Sequence, residues 1–180
     1  MEKPTRIATP GHCAAVAMLA IAAASLLSAE VFPDEPAAGP IEGPDQVFIS
    51  RALALASDKL HNPVCRQVFA EFNAVGGASL DEVLRAHGET ADVHLRRIRF
   101  RDGSRHLRCI KQEARAVTRT GSLDVLLCGS FLTEARRDPS AAANVLIHEE
   151  LHSLGAGEAP MPGFPSSEEI TALVGRRCGR

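Results

Sequence analysis

Two histidines and a glutamate near the C-terminus are the residues whose spacing most clearly suggests chemistry. His148, Glu149 and His152 belong to the string His-Glu-Glu-Leu-His, which fits the pattern HExxH. Residues four apart on an α-helix lie on one face, so both imidazoles can point to the same place. Zn²⁺ accepts imidazole nitrogens at about 2.0–2.1 Å and keeps a water in catalytic sites. The string therefore predicts a zinc site in which Glu149 serves as general base toward that water.

The residues around this string predict the helix that must carry it. Asp138 and Pro139 form a start signal, Gly155 provides a stop, and the predicted helix covers about 139–154. Its other residues are mostly apolar: Val145, Leu146, Ile147, Leu151 and Leu154. Such a helix is buried, and burying an imidazole without a partner costs a few kcal/mol, roughly. The alternative is a helix with two exposed histidines that bind nothing.

A catalytic zinc site normally has a third protein ligand, and three glutamates follow the two histidines. Glu158 stands six residues after His152. Glu168 and Glu169 lie on a final helix predicted at about 166–177, whose core face carries Ile170, Leu173 and Val174. At about 100° per residue Glu168 points away from that face, whereas Glu169 lies at its edge and is the favoured ligand. The alternative for Glu169 is a capping box with Ser166.

The N-terminal part of the chain has the composition of a secretion signal followed by a tether. Residues 1–29 combine an early positive charge, an apolar run and a small-residue cleavage site, which predicts a signal peptide and a secreted or periplasmic protein. Residues 30–44 are acidic and rich in Pro and Gly, as in a flexible linker or short pro-segment. Residues 45–180 then form one domain with no stable membrane insertion after cleavage, an uncleaved anchor being the alternative.

The composition of this domain indicates an oxidising environment and argues against one class of partner. Its four cysteines fit two disulfides in an oxidising compartment, and the sequence leaves all three pairings open: Cys65, Cys109, Cys128 and Cys178. The formal net charge is only −2, and Trp and Tyr are both absent. These properties argue against a nucleic-acid partner, and we expect a monomer.

The periodicity of apolar residues predicts an α+β domain. Helical spacing covers 45–61 and 64–74, and Ser79 begins a capping box for a helix to about 87.

Alternating residues predict a strand near 98–101, and Asp102-Gly103 predicts a hairpin with a return strand near 107–110. Further strands are predicted at 116–118 and 123–128. N-terminal helices, a small mostly antiparallel sheet, the HExxH helix and a C-terminal helix therefore follow one another.

The HExxH helix and the segments around it resemble the zincin metallopeptidases. A His-His-Glu set of His148, His152 and Glu169 is similar to the gluzincin branch, while Glu158 and Gly155 stand at positions of the metzincin pattern HExxHxxGxxH, with Glu in place of its last His. Residues 125–132 also resemble the strand that precedes the motif in deuterolysin-like aspzincins, but no Asp follows Asp138 to complete their ligand set.

This resemblance covers about residues 123–175 and implies a small bacterial secreted zincin-like enzyme. The implied activity is hydrolysis of a peptide or protein substrate, with Zn²⁺ as cofactor and Glu149 as general base. Zincin substrates typically lie along an edge strand, and the implied strand is 123–128. The alternative function is a catalytically silent secreted module in which zinc only braces the helices.

Overall fold

The computed structural model describes residues 38–111 and 114–179. The predicted signal peptide and the first part of the predicted tether lie outside these residues. The helices are Pro44–His61 (α1), Pro63–Arg66 (α2), Val68–Glu71 (α3), Leu80–His87 (α4), Ala91–Arg97 (α5), Leu107–Lys111 (α6), Gly129–Arg137 (α7), Pro139–Ser153 (α8) and Ser167–Cys178 (α9). The strands are Arg99–Asp102 (β1), Ala116–Thr118 (β2) and Asp124–Leu127 (β3). The predicted α+β class is confirmed.

Helix α8 carries the HExxH string and lies at the centre of the domain. Its first turn is capped by Asp138, whose side chain accepts hydrogen bonds from the amides of Ser140 and Ala141. Almost every residue from Ala142 onward is buried, because α1, α7 and α9 all pack against this helix. A helix covered on several sides is rigid, so it can hold its side chains in a fixed geometry.

In the described part of the chain the sheet has three strands in the order β1-β3-β2, and it is mixed rather than mostly antiparallel as predicted. Strand β1 pairs in parallel with β3, and β2 pairs antiparallel with β3. The predicted hairpin after Asp102 does not form, because the chain at Gly103 keeps pairing with β3 through its amide to the Leu127 carbonyl. The predicted return strand at 107–110 is instead helix α6.

Most of the other predicted helices and strands are present, and some differ from the prediction in their limits. The predicted helices at 45–61, 80–87, 139–154 and 166–177 and the strands at 116–118 and 123–128 are all present. The predicted helix at 64–74 is divided into α2 and α3, and the predicted strand near 98–101 is present as β1 at Arg99–Asp102. Helix α5 was not predicted. Helix α7, between β3 and α8, was not predicted.

Two disulfides close the domain, as the cysteine count predicted. Cys65 is bonded to Cys178 and so joins α2 to the end of α9. Cys109 is bonded to Cys128 and joins α6 to the end of β3. Disulfides persist in oxidising compartments, which fits a location outside the cytoplasm. Within residues 38–111 and 114–179, no helix combines the length and apolar character needed to cross a bilayer.

The described end of the predicted tether lies against the domain. The carbonyl of Gly39 accepts a hydrogen bond from the amide of Asp102, so this segment extends the outer edge of β1. Ile41 packs against the core. The chain is therefore attached to the domain several residues before α1 begins.

Candidate metal centre

Helix α8 brings the two predicted histidines to one point. Both are buried, with 6% and 8% of the surface of His148 and His152 exposed. Their Nε2 atoms are 3.0 Å apart. The spacing of four residues on a helix therefore produces the convergence that the sequence predicted.

The other ring nitrogen of each histidine has a partner that orients the ring. The Nδ1 atom of His152 lies 3.1 Å from the Ala156 carbonyl, which can only accept, so His152 donates from Nδ1. The Nδ1 atom of His148 lies 3.0 Å from the Thr171 hydroxyl on α9. Metal-binding histidines characteristically make such a bond with the nitrogen that does not face the metal. In neutral His152, Nε2 then carries the lone pair that faces His148.

Glu158 supplies a carboxylate at the same point. Its Oε2 atom lies 2.9 Å from Nε2 of His152 and 3.7 Å from Nε2 of His148. Glu158 belongs to the loop that follows α8, which turns at Gly155 with a φ of +106°, a conformation that favours glycine. The next glycine, Gly157, lies under the Phe164 ring, where a Cβ would come within 2.4 Å of a ring carbon.

The three side chains form a compact set of ligand atoms that could hold a metal ion. One atom from each of His148, His152 and Glu158 lies within 4.8 Å of the others. Tetrahedral Zn²⁺ with bonds of about 2.0–2.2 Å requires its ligand atoms to be roughly 3.3–3.6 Å apart. The observed 2.9–3.7 Å between these atoms spans that range, so small side-chain adjustments suffice.

The pKa values of the cluster residues favour the binding of a cation. The imidazoles of His148 and His152 hold the pKa of Glu158 at about 2. Burial alone would lower the pKa of His152, but Glu158, Glu149 and the Ala156 carbonyl outweigh it, so this pKa is raised. A carboxylate that stays ionised beside imidazoles gives the site a net affinity for cations.

Glu149 is buried on α8 and is not a member of the ligand cluster. Only 6% of its surface is exposed. The Thr118 hydroxyl on β2 donates a hydrogen bond of 2.6 Å to its Oε2 atom. This arrangement places a carboxylate beside the cluster without using it as a ligand, as a general base requires.

A cleft of about 570 Å³ opens onto the cluster and Glu149. Strand β2 forms one wall, and α8 and α9 contribute the others. β2 is an edge strand of the sheet, whereas β3, at the predicted substrate strand 123–128, is paired on both sides. The expectation that a substrate would extend 123–128 is therefore wrong, because β3 has no free hydrogen-bonding edge. Among the strands of the described residues, β2 is the one beside the cleft that has an unpaired edge.

The structure separates the three candidates for the third ligand. Glu158 lies at the histidines, and Glu168 lines the cleft from the start of α9. The favoured candidate, Glu169, instead completes the capping box that was its alternative: its Oε2 accepts from the Ser166 amide at 2.8 Å. The Glu169 carboxylate is therefore engaged by a local bond at the helix start, and it is not in the group of converging ligand atoms.

Thr118 and Thr171 are candidate functional residues that the sequence did not single out. Each contacts a predicted site residue from an element far away in the chain, so only the fold brings them together. The predicted strand at 116–118 was the one available signal for Thr118, since it placed this residue in the sheet. Thr171 was visible only as a polar residue on the predicted final helix.

The third residue of the motif, Glu150, is not part of the His148, His152 and Glu158 cluster. It is fully buried, and neither carboxyl oxygen has a hydrogen-bond partner among the described residues. Burial, with a smaller contribution from Asp92, raises its pKa well above the ordinary value. Burial therefore favours the neutral form of this carboxyl group.

Comparisons with protein-family models, with curated proteins and with solved structures found no significant match to this chain. The functional assignment therefore depends on the geometry of the cluster, the carboxylate of Glu149 and the cleft.

Proposed function

We propose that this chain is a zinc-dependent metallopeptidase that acts outside the cytoplasm. One observation carries the proposal. Three ligand atoms of a His-His-Glu set converge within 4.8 Å, beside the buried carboxylate of Glu149 and in a cleft next to an edge strand. This combination of an N/O ligand set, a base and a free strand edge is what peptide hydrolysis needs.

In this proposal His148, His152 and Glu158 hold the zinc ion. The ligand types suit zinc, since imidazole and carboxylate are both common zinc ligands and the cluster contains no soft sulfur atom. Glu158 replaces Glu169 as the proposed third ligand. When bound, the ion lowers the pKa of an adjacent water and polarises the scissile carbonyl.

Glu149 carries the proton transfers of the reaction. Its carboxylate accepts a proton from the attacking water and then passes it to the nitrogen of the leaving amine. His148 and His152 are held in the orientation needed for binding by Thr171 and by the Ala156 carbonyl. Only 6% of the surface of Glu149 is exposed, so few competing water molecules contact its carboxylate.

The substrate of this proposal is an extended peptide or protein segment. It pairs with the free edge of β2, on the side opposite β3, and thereby crosses the cleft above α8. The two disulfides and the predicted signal peptide support a secreted or periplasmic location, and a monomer suffices because one chain supplies every residue of the site.

The proposal is tested by metal content and peptide hydrolysis of the purified, disulfide-bonded domain. We expect near-stoichiometric zinc, which is lost when His148 and His152 are both replaced by Ala. Glu149→Gln keeps the zinc and loses hydrolysis of a casein or mixed-peptide substrate by about 100-fold or more, the usual contribution of a general base. Glu150→Gln is the matched control, because it makes the same change at a fully buried neighbour that is not one of the cluster residues, and we expect it to leave hydrolysis intact.

Two outcomes would contradict the proposal in different ways. Zinc binding without any hydrolysis by the wild-type domain would favour the silent zinc module. A domain that binds no zinc, and hydrolyses equally well with Glu149 or Gln at that position, would exclude both zinc functions.

A further inference from the structure

The hydrogen bond between Thr118 and Glu149 joins the substrate strand to the catalytic helix. The Thr118 hydroxyl donates to Oε2 of Glu149 at 2.6 Å, near the short end of the usual range for an O–H donor. The two residues are 31 positions apart and belong to different elements. We propose that Thr118 is a positioning residue that orients Glu149 for proton transfer; this inference rests on the proposed peptidase function.

The backbone around Thr118 fixes the place from which the hydroxyl reaches Glu149. Thr118 is paired in register with Val125 of β3, so strand pairing fixes its position along the strand direction. Three residues later the Gly121 amide donates to the His152 carbonyl at 2.8 Å, which attaches the turn after β2 to the end of α8. The separation of β2 from α8 is therefore set independently of the Thr118 side chain.

The chemistry of the bond explains why it would matter to a general base. A carboxylate has two oxygens and rotates about its last side-chain bond, and a single strong donor selects one orientation. Thr118 engages Oε2, so Oε1 remains available to a water beside the metal cluster. A base held in one orientation does not need to reorganise during the reaction.

The bond also couples substrate binding to catalysis. Thr118 lies on the edge strand that a substrate would extend, and it lines the cleft together with Val117 and Glu149. A peptide bound along β2 is thereby placed at a fixed distance from the base. Positioning of this kind acts on kcat, since it affects the transition state more than the ground-state complex.

The test compares Thr118→Val, which keeps the shape of the side chain but removes the donor, with Thr118→Ser, which keeps the donor. We expect kcat for peptide hydrolysis to fall by about 10- to 100-fold in Thr118→Val, with KM and zinc content unchanged, as for loss of an outer-sphere partner. Thr118→Ser should restore kcat to within about 3-fold of wild type. Adding Thr118→Val to Glu149→Gln should cause no further loss, because both variants remove the same function.

A second measurement does not depend on turnover. Acetohydroxamate chelates zinc, and its hydroxyl can donate to the Glu149 carboxylate. Thr118→Val and Glu149→Gln should each weaken acetohydroxamate binding to the zinc-loaded domain, and Thr118→Ser should not. A purely structural bond would instead lower the melting temperature or the zinc content and leave the affinity of the remaining loaded sites unchanged.

The outcomes distinguish failure of this inference from failure of the proposed function. If the wild-type domain binds zinc and hydrolyses peptides but Thr118→Val retains kcat and acetohydroxamate affinity, only the role of Thr118 is overturned. If Thr118→Ser is as impaired as Thr118→Val, a hydroxyl donor at this position is not sufficient to maintain kcat, and the inference is overturned as well. If the wild-type domain binds no zinc, the proposed function fails first, and Thr118 then has no base to orient.

Discussion

The identity of the third ligand gives the sharpest test of the structure, because two glutamates compete for the role. The perturbation is the same single-atom change, Glu to Gln, made separately at Glu158 and Glu169. Glu158 lies 2.9 Å from Nε2 of His152, whereas Glu169 is bonded to the Ser166 amide. We expect the first substitution to weaken zinc binding and the second to leave it unchanged.

The magnitude follows from how strongly the cluster stabilises a charged carboxylate. His148 and His152 hold the pKa of Glu158 at about 2, against an ordinary value of 4.5. This difference corresponds to about 3 kcal/mol in favour of the ionised form, at roughly 1.4 kcal/mol per pKa unit. The side chain is 32% exposed, so solvent screening reduces the effect to about 2 kcal/mol. Without this carboxylate, zinc binding at the same place should lose a comparable free energy, which is about 30-fold in affinity.

Glu169→Gln is a stringent control for this change. Glutamine can replace glutamate at the third position of a capping box, so Ser166 keeps its partner and α9 keeps its first turn. Loss of the negative charge near the helix start should cost about 0.3–1 kcal/mol of folding stability and no zinc affinity. Competition against a chromophoric zinc chelator measures both affinities, and a melting curve measures the stability.

The reverse result would refute the reasoning. If Glu169→Gln weakens zinc binding and Glu158→Gln does not, α9 must reorganise when metal binds, and the capping box is not the state that holds zinc. Equal affinities in both variants would show that neither carboxylate is a ligand.

Two further predictions concern the loop and the pH dependence of the cluster. Gly157→Ala would bring the new Cβ to within 2.4 Å of the Phe164 ring, so the loop that carries Glu158 must shift. We expect zinc affinity to fall by about 10-fold or more as a result. The control is Gly76→Ala, whose Cβ meets no atom within 4 Å and which should retain zinc affinity. In the metal-free domain the lowered pKa of Glu158 stabilises the fold above pH 4.5, and this contribution is lost as the pH falls toward about 2. The raised pKa of His152 stabilises the fold below pH 6.5 and is lost as the pH rises past the raised value. The contribution of Glu158 and His152 to the melting temperature should therefore be present at intermediate pH in a series from pH 3 to 8. A Glu158→Gln variant whose melting temperature depends on pH as steeply as that of the wild type would contradict the assignment.

The features that could be predicted from the sequence depend on neighbouring residues. The Asp138 start of α8 and the Ser79 capping box of α4 are each formed within a few positions, so local chemistry specifies them. The convergence of His148 and His152 follows from helix geometry alone. The cysteine count predicted two disulfides, and only the fold decided which cysteines pair.

The features that could not be predicted depend on contacts between distant segments. Asp102-Gly103 is a strong hairpin signal, but parallel pairing of β1 with β3 takes the chain in another direction. For the third ligand, helix geometry favoured Glu169 over Glu158 with the Ser166 capping box as its alternative, and the structure shows the capping box. Thr118 reaches Glu149 only because β2 lies beside α8.

With Glu158 as the third ligand, the whole proposed ligand set lies between residues 148 and 158, yet the loop that carries Glu158 depends on the N-terminal half of the domain. The Gly155 carbonyl accepts a hydrogen bond of 2.9 Å from the Val75 amide, and Ala156 forms a bridge with Ala74. A Cβ on Gly155 would lie 3.2 Å from the Cβ of Ala74, so the two segments are already in close contact. These contacts hold the turn that places the carboxylate opposite the histidines. The segment before α4, which carries no catalytic motif of its own, is therefore part of the structure that makes a His-His-Glu site out of an HExxH helix.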